Sequence, residues 1–272
     1  MTDVSRPRII VLSGYGINCE EETRYAFEIA GGEAEIVHIN DLISGKKILM
    51  NYDIMAIPGG FSFGDDTGSG NAFANRLRNH LWNMITGFIK EDKLVIGICN
   101  GFQILVNLGL LPAIDKEYGK RQVALLHNDS AKYMDRWVDL KFEGNSPWVK
   151  GIETISLPIA HGEGKFYSDD TTLDIIEDSG LVSARYFKGE MCDYQDLISN
   201  PNGSMNEIAS ITDVTGRIIG MMPHPERAIH VTQLPNFQSL KESALRSGKI
   251  LDEEGPGMKI FKNGVGYFDK KK

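Results

Sequence analysis

Cys99 stands where two sequence patterns meet. Before it, Leu94-Val95-Ile96-Gly97-Ile98 is a short apolar run, as a strand buried on both faces of a parallel sheet requires. After it, Phe102, Ile104, Leu105, Leu108 and Leu111 recur at helical spacing. A strand, a tight turn holding one nucleophilic residue and a helix together form a nucleophile elbow, which lifts the side chain clear of the sheet. The helix N-terminus aimed at that side chain favours negative charge, both on a thiolate and on an oxyanion. A buried structural cysteine would fit the same local pattern, because free cysteine is among the most buried residue types. A catalytic cysteine also needs a base to take its proton and return it to a leaving amine, and histidine is the usual one. That histidine in turn needs an orienting acceptor on its second nitrogen. His224-Pro225-Glu226, at the end of the apolar run 218–222, offers both, with Pro225 stiffening the turn between them. Of the six histidines, His38 and His80 fall in ordinary strand and helix contexts, and His127 and His230 near element boundaries without an informative partner. His161 is the competitor. Its Gly-flanked loop, Pro158-Ile159-Ala160-His161-Gly162-Glu163-Gly164-Lys165-Phe166, could hold the base, line a ligand site or meet a partner. A metal set of His161, Glu163, His224 and Glu226 lacks helical H-E-x-x-H spacing, so no metal is expected.

These residues can meet only if strand ends from distant parts of the chain share one edge of a sheet. Residues 8–12 read as a strand closed by the turn-formers Ser13-Gly14-Tyr15-Gly16. Asn18 then stands as cap of a helix carrying Thr23, Tyr25, Ala26 and Ile29 and ending at Gly31-Gly32. Residues 34–38 and 53–57 are the next two strands, and the strand–helix–strand order predicts an α/β fold with an open, mostly parallel sheet flanked by helices. Gly14-x-Gly16 lacks the third glycine and the acid of a dinucleotide loop. The third strand runs into Pro58-Gly59-Gly60-Phe61-Ser62-Phe63-Gly64-Asp65-Asp66. Its composition fits an ordinary turn, and equally a loop whose backbone N–H groups face the elbow from the adjoining strand end. Residues 71–89 predict a helix with Phe73, Leu77, Leu81, Ile85 and Phe88 on its core face. The second half reads differently, with extra antiparallel strands. Tyr133, Trp137, Val138, Leu140 and Phe142 alternate with polar residues; 152–159 and 180–186 look similar, with turns at 144–147 and 200–203. Residues 208–212 and 218–222 predict a hairpin across 213–216. The expected organisation is one domain over 1–233 and a less well packed polar extension over 234–272, either packed on the same domain or partly mobile and ending in Lys270-Lys271-Lys272.

Composition narrows the function classes. A chain of 272 residues suits one large domain with a substantial core. A net charge of -8 argues against a nucleic-acid partner. Cys19, Cys99 and Cys192 are odd in number and without metal-ligand spacing, which points to a reducing compartment and no disulfide framework. No apolar run approaches the roughly 20 residues of a membrane span, and the first residues lack the apolar core of a signal peptide. A cytoplasmic location is expected.

Four stretches together, G-I-C-N-G-F-Q (97–103), P-G-G-F-S-F-G-D (58–65), P-I-A-H-G-E-G-K-F (158–166) and G-M-M-P-H-P-E-R (220–227), resemble those of class I (triad) glutamine amidotransferases. With N-P-N-G-S (200–204), they are most similar to the glutaminase subunits of the purine pathway. The resemblance implies a flavodoxin-like α/β fold with Cys99 as nucleophile, His224 as general base and acid, and Glu226 orienting His224. It further implies an oxyanion hole from the backbone N–H groups of Gly60 and Asn100, and a contact between Gln103 and the substrate glutamine. The thiolate would attack the side-chain amide, release ammonia and leave a glutamyl thioester for water to hydrolyse. Where relatives continue with an aromatic and then an arginine-containing stretch, this chain has Asp66-Thr67-Gly68-Ser69-Gly70; residues 188–199, with Cys192, are also particular to it. No phosphate-binding G-x-x-x-x-G-K-[ST] loop is present, and the extension is too short for a second catalytic domain. The resemblance therefore implies no cofactor on this chain. ATP, magnesium and the nucleotide substrate would lie on a separate synthetase subunit, joined by a small third subunit. His161, Glu163, Asp65 and Asp66 are the expected interface. Three alternatives remain at this point. One is a glutaminase subunit serving pyridoxal phosphate or GMP synthesis; another is a non-hydrolytic cysteine-elbow protein, which would not need His-Pro-Glu; the third is an inactive regulatory subunit of the same fold.

Overall fold

A computed structural model describes residues 6–269; the first five residues and the three terminal lysines lie outside the described residues. The parallel half contains β1 (Arg8–Ser13), α1 (Glu20–Ile29), β2 (Glu33–His38), α2 (Ile39–Ile43), β3 (Ile54–Ile57), α3 (Asn71–Lys90), β4 (Leu94–Ile98) and α4 (Asn100–Leu108). The second half contains β5 (Ala124–His127), β6 (Met134–Phe142), β7 (Thr154–His161), β8 (Glu163–Tyr167), α5 (Asp170–Asp178), β9 (Val182–Phe187) and α6 (Glu190–Gln195). It closes with β10 (Ile208–Thr212), β11 (Ile218–Met221), α7 (Phe237–Ser247) and α8 (Met258–Gly266).

Nine strands form one sheet in the order β2-β1-β3-β4-β11-β10-β9-β6-β7, and β5 pairs with β8 in a second, two-stranded sheet. Pairing is parallel from β2 as far as β11 and antiparallel beyond it, so only β10 and β6 oppose the common strand direction. Every residue of β3, β4 and β11 is buried, as the unbroken apolar runs require of strands covered on both faces. The decisive step is the return of β11. Late in the chain, it inserts beside β4 in parallel, with Met221 opposite Ile98. The chain leaving β11 therefore emerges at the same sheet edge as Cys99.

One expectation is corrected here. The cap of α1 is Cys19, not Asn18. The Asn18 and Cys19 N–H groups both donate to the Gly59 carbonyl, so the chain is pinned across the sheet edge before the helix begins. The helix then buries Thr23, Ala26 and Phe27 and leaves Tyr25 and Ile29 exposed. In the C-terminal extension α7 buries no residue, whereas α8 packs on the rest of the domain. Met258, Phe261 and Val265, one turn apart, are buried on one face of α8, and the Phe261 ring meets Phe27 edge-on at 4.9 Å. Asn263 Nδ2 donates to the Trp148 and Lys150 carbonyls at 3.0 and 2.9 Å. Phe261→Ala is therefore expected to lower unfolding stability by about 3–4 kcal/mol. Urea denaturation checks this, and an unchanged midpoint would place α8 outside the cooperative core. No helix among the described residues is long and apolar enough to cross a membrane.

Candidate active site

Cys99 lies at φ 52 and ψ -107, a conformation that a residue with a side chain adopts only under local constraint. The constraint comes from both neighbours. Its N–H donates to the Met221 carbonyl at 2.8 Å, and its carbonyl accepts the Gln103 N–H at 3.1 Å. A Cβ on Gly101 would stand 1.8 Å from the Ile57 carbonyl oxygen, and one on Gly97 2.6 Å from that of Gly101. The two glycines flanking Cys99 at this spacing are what let β4 turn directly into α4.

His224 follows β11 and is anchored by its N–H on the Pro158 carbonyl at 2.8 Å. Its Nδ1 lies 2.5 Å from Glu226 Oε1, and both side chains are about 1% exposed. With Nδ1–H donating to that carboxylate, Nε2 is the ring nitrogen left to face the elbow. Nε2 has no hydrogen-bond partner among the described residues. The place a Gly59 side chain would occupy is 2.8 Å from His224 Cε1 and 3.5 Å from Cys99 Cβ, so only the absence of that side chain lets the imidazole and Cys99 share the site. Burial alone pushes the His224 imidazolium down; the Glu226 carboxylate, with Cys99 behind it, outweighs burial and holds the group well above the ordinary imidazole range.

His161 is resolved by the same criteria. Its Nδ1 meets the amide oxygen of Asn128 at 3.1 Å, not a carboxylate, and burial followed by the His224 charge pushes it down to about 3. It is a neutral imidazole at physiological pH. At 2% exposure it is also no interface side chain, which corrects that expectation: the chain passes straight from β7 to β8 at Gly162 and turns His161 inward.

Gly60 (φ 155) forms an isolated bridge with Ile17, and a Cβ there would stand 2.5 Å from the Gly16 carbonyl oxygen. The bridge's bonds are made by its neighbours, Asn18 N–H to the Gly59 carbonyl and Phe61 N–H to the Gly16 carbonyl, leaving the Gly60 N–H directed away from Ile17. The Asn100 N–H, at the first position of α4, has no intrahelical acceptor. The Asn100 side chain ties the two donor-bearing loops together. Its Oδ1 accepts the Ser62 N–H at 3.2 Å, and its Nδ2 donates to Gln103 Oε1 at 2.9 Å and to Asp65 Oδ1 at 3.3 Å. Gln103 Nε2 in turn donates to the Glu163 carbonyl at 2.5 Å, so in this structure Gln103 braces α4 against the turn at Gly162.

Asp65, Glu163, Phe61, Lys132, Tyr133 and Gly162 line a cavity of about 540 Å³ walled by the residues that follow Gly60 and His161. Burial pushes the Asp65 carboxyl up, against a bond to Ser69, and Glu163 adds to the rise. Glu163 Oε2 accepts the Ser69 N–H at 3.2 Å, and Asp66 is exposed. Asp139 accepts the N–H groups of Gly189, Met191 and Cys192, so the segment around Cys192 is held structurally by one buried carboxylate.

Sequence reasoning missed Cys19 and Arg227. Cys19 is fully buried at the head of α1, and Arg227 Nη2 donates to its sulfur at 2.9 Å. Ligand atoms of Cys19, His224 and Glu226 lie within 4.8 Å of one another, whereas the metal set considered from sequence does not assemble among the described residues. The available signal was position: Cys19 follows the carboxyl end of β1, on the edge where ligands of open α/β sheets sit.

Comparison with known proteins bears on this arrangement. The CobB/CobQ-like glutamine amidotransferase domain matches residues 6–268. The chain is 48% identical over 273 residues to phosphoribosylformylglycinamidine synthase subunit PurQ of Methanococcus maripaludis, covering 97% of this chain and 98% of that protein. It is 39% identical over 264 residues to the subunit of the same name from Dehalococcoides mccartyi, covering 96% and 98%. Among solved structures, a chain in the structure of PurLQS from Thermotoga maritima matches with a TM-score of 0.71 at 30% identity, covering 97% of this chain and 99% of that one.

Proposed function

The chain belongs to the CobB/CobQ-like glutamine amidotransferase family, and from that membership we propose that it is the glutaminase subunit of phosphoribosylformylglycinamidine synthase. It acts in a complex with a synthetase subunit. The observation that carries the active-site assignment is the buried 2.5 Å contact between His224 Nδ1 and Glu226, with Cys99 at the elbow on the other side of Gly59.

In this reading His224 Nε2 takes the Cys99 proton, and the thiolate adds to the carboxamide carbon of glutamine. The negative charge developing on the amide oxygen is met by the N–H groups of Gly60 and Asn100. Collapse of that intermediate breaks the carbon–nitrogen bond; the imidazolium returns its proton to the departing nitrogen, and ammonia leaves. His224 then draws a proton from water, whose oxygen displaces the thiolate from the glutamyl thioester and yields glutamate. Glu226 remains ionised throughout, holding the imidazole in one tautomer and supporting its charged form. Ammonia passes to the synthetase subunit, which carries ATP and magnesium and converts formylglycinamide ribonucleotide to formylglycinamidine ribonucleotide. A small third subunit completes the enzyme in the cytoplasm. The mouth of the 540 Å³ cavity, with exposed Phe61 and Tyr133 beside Glu163, Asp65 and Asp66, is the face offered to the synthetase. A glutaminase serving GMP or pyridoxal phosphate synthesis is disfavoured by the near full-length identity to purine-pathway subunits.

Mass spectrometry after treatment with the diazoketone analogue of glutamine tests the assignment. A single adduct on Cys99 is expected, blocked by excess glutamine and absent from Cys99→Ala. Failure to label Cys99 both in the free chain and with the synthetase present would overturn it.

A further inference from the structure

The Cys19 sulfur is held on several sides without taking part in the reaction as written. Its thiol donates to Asn18 Oδ1 at 3.3 Å, and Arg227 Nη2 donates to it at 2.9 Å. Its backbone is fixed by the Cys19 N–H on the Gly59 carbonyl at 3.2 Å and by the Thr23 hydroxyl on its own carbonyl at 2.6 Å. The vacant side-chain position of Gly59 is 3.2 Å from the Cys19 sulfur and 2.8 Å from His224 Cε1, so the sulfur and the imidazole face a common point. With its proton turned to Asn18 and one lone pair committed to Arg227, the sulfur presents its remaining electron density to that space. The other titratable groups around His224 are Glu226 and Arg227 on its own turn, Cys99 at the elbow, His161 at the end of β7, and Tyr133 ahead of β6.

We propose that Cys19 is a positioning residue for this reaction: oriented by Arg227 and Asn18, its sulfur supports the His224 imidazolium formed when His224 takes the Cys99 proton. The inference rests on the glutaminase reading above. Cys19 is also among the groups that hold His224 up, after Glu226 and Cys99, with burial opposing them. Removing the sulfur makes the imidazolium less stable, so His224 loses its proton at lower pH. The alkaline limb of kcat/KM for glutamine, where that proton is lost, then moves down.

Kinetics of the full chain assembled with its synthetase test this. In Cys19→Ala the alkaline limb is expected to fall by about half a pH unit or more, and kcat by about tenfold, with the glutamine KM within about twofold of wild type. Cys19→Ser, whose hydroxyl can still donate to Asn18 and accept from Arg227, keeps the wild-type limb. A wild-type profile in Cys19→Ala, or equal losses in both variants with unmoved limbs, would overturn the proposal. NMR titration of the His224 ring in the free chain gives a second readout independent of turnover. A lower midpoint in Cys19→Ala supports the proposal and an unchanged one overturns it, even if wild-type enzyme failed to hydrolyse glutamine, a result that would instead overturn the glutaminase reading.

Discussion

Cys99→Ala is expected to lower glutamine-dependent synthesis by the assembled enzyme by about 10⁴-fold or more, while synthesis from added ammonia stays within about twofold. The asymmetry follows from the division of labour. In the proposed mechanism the Cys99 thiolate provides the covalent step, which Cys19, bound to Arg227 and Asn18, is not placed to supply. Ammonia added from solution bypasses that step and meets only the synthetase's chemistry. The substitution keeps Cβ and removes one buried sulfur, so the elbow, whose geometry depends on Gly97, Gly101 and the bond to Met221, remains in place. Parallel assays with glutamine and with ammonium salt measure both arms. Wild-type activity with glutamine would remove Cys99 from the mechanism, and loss of both activities would mean that the substitution had broken the complex.

Glu226→Gln should cost about 10²–10⁴-fold in kcat with glutamine, although the side chain changes by little more than an oxygen for an amide. An amide can donate to Nδ1 and so favour the tautomer that carries its proton on Nε2, where a base needs a free lone pair. It also removes the largest of the contributions that oppose burial around His224. The stability consequence has a definite sign. In the native enzyme the His224 pKa is raised above its unfolded value of about 6.5, so the associated stability is complete below that pH and is lost as pH rises through the folded value. In Glu226→Gln burial is opposed only by Cys99 and Cys19, and most of that contribution disappears. The melting temperature of the variant should therefore trail wild type most near pH 6, and the gap should narrow toward pH 9. Thermal melts across that range check it; a gap that widened with pH would mean His224 is not charged in the folded enzyme.

Much of this was legible in the residues themselves, because it depended on neighbours along the chain. The apolar run into Cys99 and the helical spacing after it placed the elbow. His224-Pro225-Glu226 put an imidazole and its acceptor two residues apart. The hairpin of β10 and β11 and the buried face of α3 were equally local. What local pattern could not reach was decided by strands meeting across the sheet. Only the insertion of β11 beside β4 brings Met221 opposite Ile98 and so His224 to Cys99. His161 and His224 look alike in sequence; they separate because one nitrogen finds an amide and the other a carboxylate, after burial has removed water from both. Asn18 has the residue type of a helix cap but is overruled by Gly59, a loop distant in sequence that takes the N–H groups of Asn18 and Cys19 and moves the cap along by one residue. In a polar extension α8 hides an apolar stripe whose partners, Phe27 and Trp148, lie far earlier in the chain. Periodicity reports which face of an element is apolar, whereas the identity of the surface it covers, and the charges it meets there, arise only when elements far apart in sequence are packed together.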